Sequence, residues 1–443
     1  MLSRTLARLT ALNIGSAAVL MAAAVLALLW ANLDAGSYEW PWSQLVLGWD
    51  VRHIVNDLLM ALFFFVVALE VKRERRFGSL RDTRAAAVPI AAAFGTMVGA
   101  ALTYVAVNLI ADGDLRGWAI PIATDIAFAV GALGVVGRRA PAQLRTFLLT
   151  LAVVDDLATI VVIALFFGES IDPLWVAAAV AAAGAVALVP RRLWLYLPLA
   201  GALWYALYKA GVHPTIAGVV LGFLTPAAVL ERREHRFAPW SAYVVLPVFA
   251  LANAGVPVSL AGLGDALTGP VGLGIALGLA LGAPLAGVAV SYSLVRFTPA
   301  RLQQGLDWPA ISALAPLKGI GFTVAIFISV LAFDGDQALQ DEAKLAILSA
   351  SLLSGIIGVT ALALLGRRSA VREPLGVVAE QPEHGRPQAD EQGAPLGVPA
   401  LLLGDGLRAD PQRDAEDDPA ERGAVENRSD QTHEERGTPA SPG

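Results

Sequence analysis

Residues 144–168 read LRTFLLTLAVVDDLATIVVIALFFG, an apolar run of helical length interrupted at its centre by Val154-Asp155-Asp156-Leu157. About 20 apolar residues cross the roughly 30 Å hydrocarbon core of a bilayer as one helix. Two carboxylates at the midpoint of such a run cost a few kcal/mol each or more, so a functional reading is the default. Adjacent helical residues point about 100° apart. One carboxylate can therefore face a water-filled funnel while the other faces a neighbouring helix. The bland alternative is a buried pair tied to a lysine or to backbone, carrying no ion.

The rest of the chain has the same character. It holds 443 residues, 56% hydrophobic and 16% charged, with a mean hydropathy of +0.61, against roughly 25% charged in a soluble domain. No segment alternates with the period of a membrane barrel strand. Cysteine is absent, which excludes disulfides, thiolate metal sites and cysteine nucleophiles. The formal net charge is −6, but from Arg367 onward there are 9 Arg against 16 Asp and Glu, leaving the remainder with 23 basic and 22 acidic residues. The acidity is local to the tail, so it implies no nucleic-acid partner and no charged partner for the apolar portion.

Apolar runs and their breaks predict an all-α polytopic membrane protein with about twelve transmembrane helices. They fall near 12–31, 53–71, 86–110, 117–136, 144–168, 173–189, 193–209, 212–229, 241–261, 268–294, 309–333 and 343–366. The first is too long for a signal-peptide core and reads as a span. Basic residues tell the two sides apart. Lys72, Arg73, Arg75, Arg76, Arg81 and Arg84 fill one loop, and Arg138, Arg139, Arg145, Arg191, Arg192, Arg232, Arg233, Arg236, Arg296 and Arg301 fill the other loops of the same side. Positive charge is retained inside, which places both termini in the cytoplasm and the chain in the cell inner membrane. Residues 1–366 then form the membrane domain, and 367–443, rich in Pro, Gly and acidic residues, form a disordered cytoplasmic tail. The outer loop 33–52, with its Trp and Pro, is available for subunit contacts.

Two further constellations stand inside spans. In Pro121-Ile-Ala-Thr124-Asp125, the proline disfavours continuous helix and Thr124 offers a hydroxyl to a cation or to a freed carbonyl. Asp125 either compensates an exposed helix N-terminus or ligates the ion directly. In Pro316-Leu-Lys318-Gly319-Ile-Gly321-Phe-Thr323, a proline and two glycines predict a second interruption. Lys318 there either faces negative carbonyl ends or snorkels to an interface. Two interrupted spans in opposite halves point to a midplane site between inverted repeats. Hard cations prefer oxygen ligands, and a carboxyl group in a low dielectric holds its proton more tightly than in water. A proton and a cation can compete for such a group.

At these residues the sequence resembles the NhaA-type sodium/proton antiporters. The matching strings are Asn56-Asp57 with Leu69-Glu70-Val-Lys-Arg73; Gly117 to Ala129; Val154-Asp-Asp-Leu157; Gly211 to Gly218; Leu246 to Gly255; and Gly319 to Thr323, in order across about residues 12–365. The resemblance implies helices 4 and 11 unwound and crossing at mid-membrane. It implies a sodium or lithium site at Asp155 and Asp156, the second being the principal ligand, with Thr124 and Asp125 at the crossing. It also implies pH regulation at Glu70 and Arg73, with Asp57 in the same matching set. No cofactor is implied beyond the transported ions, and the partners are monovalent cations, protons and lipid, with a homodimer as a candidate assembly. The chain departs from the family twice. Where well-studied members carry Gly-Lys-Pro, this one has Gly282-Ala283-Pro284, and Lys318 is expected to take over the pairing with Asp155 or to compensate helix ends beside Asp125. A histidine before Pro-Trp is Ala238 here, with His235 offset.

Three rivals remain. A sodium-coupled symporter of a small organic anion would need more deep polar groups than Asn253 and Thr323. An intramembrane aspartyl protease needs two carboxylates converging on one bond, which an adjacent pair does not supply, so the reading is a transporter and not an enzyme. A light-driven retinal pump would use Lys318, but the aromatic patterning of a chromophore pocket is missing.

Overall fold

The computed structural model describes residues 2–81, 83–137, 142–168, 170–188, 193–303 and 305–372. Each of the twelve apolar segments contains helix. Seven are long and apolar enough to cross a membrane, and the pair Trp308–Gly319 and Phe322–Ala332, bent by 44°, makes an eighth. The others are shorter: Pro173–Leu188, Leu193–Lys209, Ile216–Leu224 and the stretch from Ser241 to Asn253. The segment predicted at 241–261 ends early, because its helix stops at Asn253 and resumes only at Leu260–Thr268. The last helix, Gln337–Arg372, runs past the boundary expected at 366. The tail beyond 372 and the loop arginines 138, 139, 191 and 192 lie outside the described residues.

The loop 33–52 contains the helix Ala35–Trp42 and a hairpin pairing Leu45–Val46 with Trp49–Asp50. Short acidic side chains start several helices by accepting from their unsatisfied N–H groups: Asp34 from Ser37, Asp50 from His53 at 2.6 Å, Asp114 from Arg116 and Asp307 from Ala310. These loop acids thus fix where helices begin. Lys72, read as a marker of the inner side, donates to the Phe223 and Thr225 carbonyls at 2.6 Å each, at the C-terminal end of Ile216–Leu224. A cation there answers the negative end of the helix.

Burial separates centre from periphery. The span Leu115–Val136 is 72% buried, Val51–Phe77 67% and Gln143–Phe166 61%, whereas Ala86–Ile110, Pro270–Phe297 and Gln337–Gly366 are each 39% buried. The exposed faces of the outer set carry Val98, Leu102, Leu281, Leu285, Leu352 and Ile356, as a lipid-facing surface requires. Close approach at the centre depends on Gly218. A Cβ there would run into the Ala61 carbonyl and the Phe65 backbone, so the short helix Ile216–Leu224 lies directly against the span Met60–Phe77.

Candidate functional site

Both predicted interruptions are present. The fourth segment runs as a 3₁₀ helix over Leu115–Ile122, opens at 123–125 and continues as Ile126–Val136. The eleventh runs over Trp308–Leu314, tightens to 3₁₀ at Ala315–Gly319, opens at 320–321 and continues as Phe322–Ala332. The open stretches meet: the Asp125 N–H donates to the Ile320 carbonyl at 2.7 Å. Proline at 121 and 316 and glycine at 319 and 321 are why neither chain closes its helix here.

Four helix ends meet at this crossing, and the charges follow the dipoles. Asp125 caps Ile126–Val136 by accepting from Phe128 N at 3.3 Å, and reaches across to accept from Thr323 N at 3.3 Å and from the Thr323 hydroxyl. One carboxylate thereby serves the N-termini of both continuing half-helices, where the partial charge is positive. Ser351 supports the same end by accepting from Gly321 N at 3.2 Å and Phe322 N at 3.3 Å. Lys318 stands on the turn that closes the first half of the other span, where the partial charge is negative. It is 3% exposed, so it does not snorkel.

Asp155 and Asp156 divide as adjacent helical residues must. Lys318 Nζ donates to Asp155 Oδ2 and, at 2.6 Å, to Thr124 Oγ1, while Thr124 donates to Asp155 Oδ2 at 2.8 Å. The pairing expected of Lys318 with Asp155 is therefore made, and Thr124 closes the triangle. Asp155 Oδ1 is buried without a hydrogen-bond partner among the described residues. Asp156, 8% exposed, receives no hydrogen bond from any described residue. Buried polar atoms are normally satisfied, and these carboxylate oxygens stay open among the described residues.

Thr323 had no assigned role in the sequence, although it closes the quoted Gly319 to Thr323 string. Thr323→Val removes a hydrogen bond to a buried carboxylate and should cost about 1.5–3 kcal/mol, read as a lower melting temperature in detergent.

The remaining predicted residues lie elsewhere. Arg73 bridges to Glu74 and to Glu234, both at 2.9 Å, joining the span Met60–Phe77 to the amphipathic helix Leu230–Trp240. Glu234 was missed by the sequence reading, its only signal being its place five residues before Pro239-Trp240. Glu70 makes no hydrogen bond with described residues. Burial pushes the Glu234 carboxyl above its ordinary range, opposed by the Arg73 guanidinium. Asp57 is buried among His53 and His213, away from the Arg73 bridge.

The chain is similar to known proteins over most of its length. A family model described as Na+/H+ antiporter 1 matches residues 7–362. A protein of Streptomyces avermitilis named Na(+)/H(+) antiporter NhaA is 44% identical over 366 residues, covering 78% of each chain. One of Frankia alni, named Na(+)/H(+) antiporter NhaA 1, is 44% identical over 84% of this chain and 92% of its own. A third, from Rhodospirillum rubrum and named Na(+)/H(+) antiporter NhaA, is 43% identical over 81% and 97%. With the match running through both broken segments and the aspartate pair, the chain belongs to the Na+/H+ antiporter 1 family.

Proposed function

We propose that this chain exchanges sodium, or lithium, for protons across the cell inner membrane, with both termini in the cytoplasm, in the service of pH and sodium homeostasis. The observation that carries the reading is the contrast at positions 155 and 156: one buried carboxylate is held by a lysine, and its neighbour receives no hydrogen bond from any described residue. A cation arriving at Asp156 meets a carboxylate with no hydrogen bond to give up among the described residues, next in sequence to the open Oδ1 of Asp155. Proton and cation cannot both occupy Asp156, and their competition is the exchange. A cation that also takes Asp155 displaces Lys318, which can then release its own proton. Two protons leave for one sodium, so charge moves in each cycle. None of the relatives described above is named a symporter, and nothing favours that alternative.

Everted vesicles energised to a fixed proton gradient test this. Sodium or lithium should dissipate the gradient and potassium should not. Equal responses to all three, or none, would refute the reading.

Regulation by pH is assigned to the Arg73–Glu234 bridge, with Glu70 three residues before Arg73. An acid with a raised pKa is neutral at low pH and ionises late, so the bridge strengthens as pH rises. Glu234→Gln removes that titration, and the pH dependence of exchange in vesicles should flatten or shift relative to the parent. We assign the acidic tail no part in exchange. Deletion beyond Arg372 should leave vesicle exchange at the parental rate; its loss would identify the tail as a regulatory domain.

A further inference from the structure

A second cluster of titratable groups stands apart from the crossing. His53 and Asp57 are four residues apart, a spacing that places side chains on one helical face. Between them the helix widens to a π turn over Val55–Leu59, a local distortion frequent at functional sites. His53 Nε2 lies 3.2 Å from Asp57 Oδ2, and His213 Nε2 lies 3.8 Å from Asp57 Oδ1. His213 comes from the turn before Ile216–Leu224, and its Nδ1 is fixed by Thr215 Oγ1 at 2.8 Å.

Accessibility is graded along the three. The His53 side chain is 44% exposed, that of Asp57 7% and that of His213 10%. His53 rests edge-on against Trp49 of the outer hairpin, with Asp50 and Asp334 the other acids near it. On the inner side the His213 ring meets Phe327 edge-on, and Phe327 is fully buried against Phe64 and Phe249. Phe327 belongs to Phe322–Ala332, the continuing half of the second broken span. A wet histidine, a buried carboxylate and an aromatic plug thus lie in sequence from the hairpin end of the molecule inward.

We propose that His53 and Asp57 form the proton-loading station on the outer side of the exchanger. The assignment rests on the antiport reading and orientation given above. His53 takes a proton from water at Nδ1 and passes the Nε2 proton to Asp57 Oδ2, which leaves the imidazole neutral in its other tautomer and the carboxyl protonated. Phe327 closes the way to the crossing in this state, as alternating access requires of one side at a time.

Oriented proteoliposomes loaded with sodium at fixed inner pH test the station. His53→Ala should slow proton uptake from the outer solution about tenfold or more, within the range of a lost proton-transfer group. Imidazole added outside should restore it. Asp57→Asn should slow uptake equally without rescue, since its carboxyl is buried. A purely structural histidine would give a defect that imidazole leaves unchanged, and that result, or parental uptake in His53→Ala, overturns the proposal. A parent that exchanges nothing would instead overturn the antiport reading itself.

Discussion

Asp156→Asn is expected to fold and insert with the melting temperature of the parent while sodium-driven proton movement in everted vesicles drops by about two orders of magnitude or more, a loss worth roughly 3 kcal/mol. The two readouts separate because Asp156 accepts no hydrogen bond from described residues, so its neutral amide breaks nothing in the fold. Asp155→Asn should behave differently. It strands the buried Lys318 without its counter-ion, and breaking one side of a buried pair costs about 3–5 kcal/mol. Transport and stability should fall together. If both substitutions leave sodium-driven flux intact, the site lies elsewhere. If Asp156→Asn destabilises as much as Asp155→Asn, the division of labour between the two is wrong.

Lys318→Met is the second large effect. It removes the only charged partner that reaches Asp155 among the described residues, leaving a carboxylate that must take a proton to remain buried. Stability above neutral pH should fall by about 3–5 kcal/mol. Any exchange that survives should be electroneutral, since a single acid then trades one proton for one cation. In proteoliposomes the parent should respond to an imposed membrane potential and Lys318→Met should not. The double variant Asp155→Asn with Lys318→Met should recover stability without recovering transport, because no buried charge is left unpaired. Potential-insensitive exchange in the parent would show that Lys318 keeps its proton throughout.

Much of this is legible in the sequence. Interruptions at Pro121 and at Pro316 to Gly321 follow from residues that cannot continue a helix, and charge at mid-span singled out Asp125, Asp155, Asp156 and Lys318. What the sequence left open was direction. Asp125 had two readings, and only the approach of Thr323 from the other broken span shows one acid serving two helix ends. Lys318 could have snorkelled, and its partner was settled by a triangle with Thr124 and Asp155, from three segments far apart in sequence. Glu234, His53 and His213 were passed over for a plainer reason: each sits near a span end, where a charged or polar side chain costs little and draws no notice. The segments predicted at 212–229 and 241–261 hold shorter helices, Ile216–Leu224 and the stretch from Ser241 to Asn253, because composition measures apolar length and not where a helix stops.

The Asp125 to Ile320 hydrogen bond fastens one broken segment to the other at the point where both are weakest. Two rods pinned at their middles cannot slide independently: tilting one swings the far end of its mate. Closure on one side of the membrane would then be transmitted to the opposite side through this pin and the Asp125–Thr323 bonds beside it, without any side chain having to travel the distance.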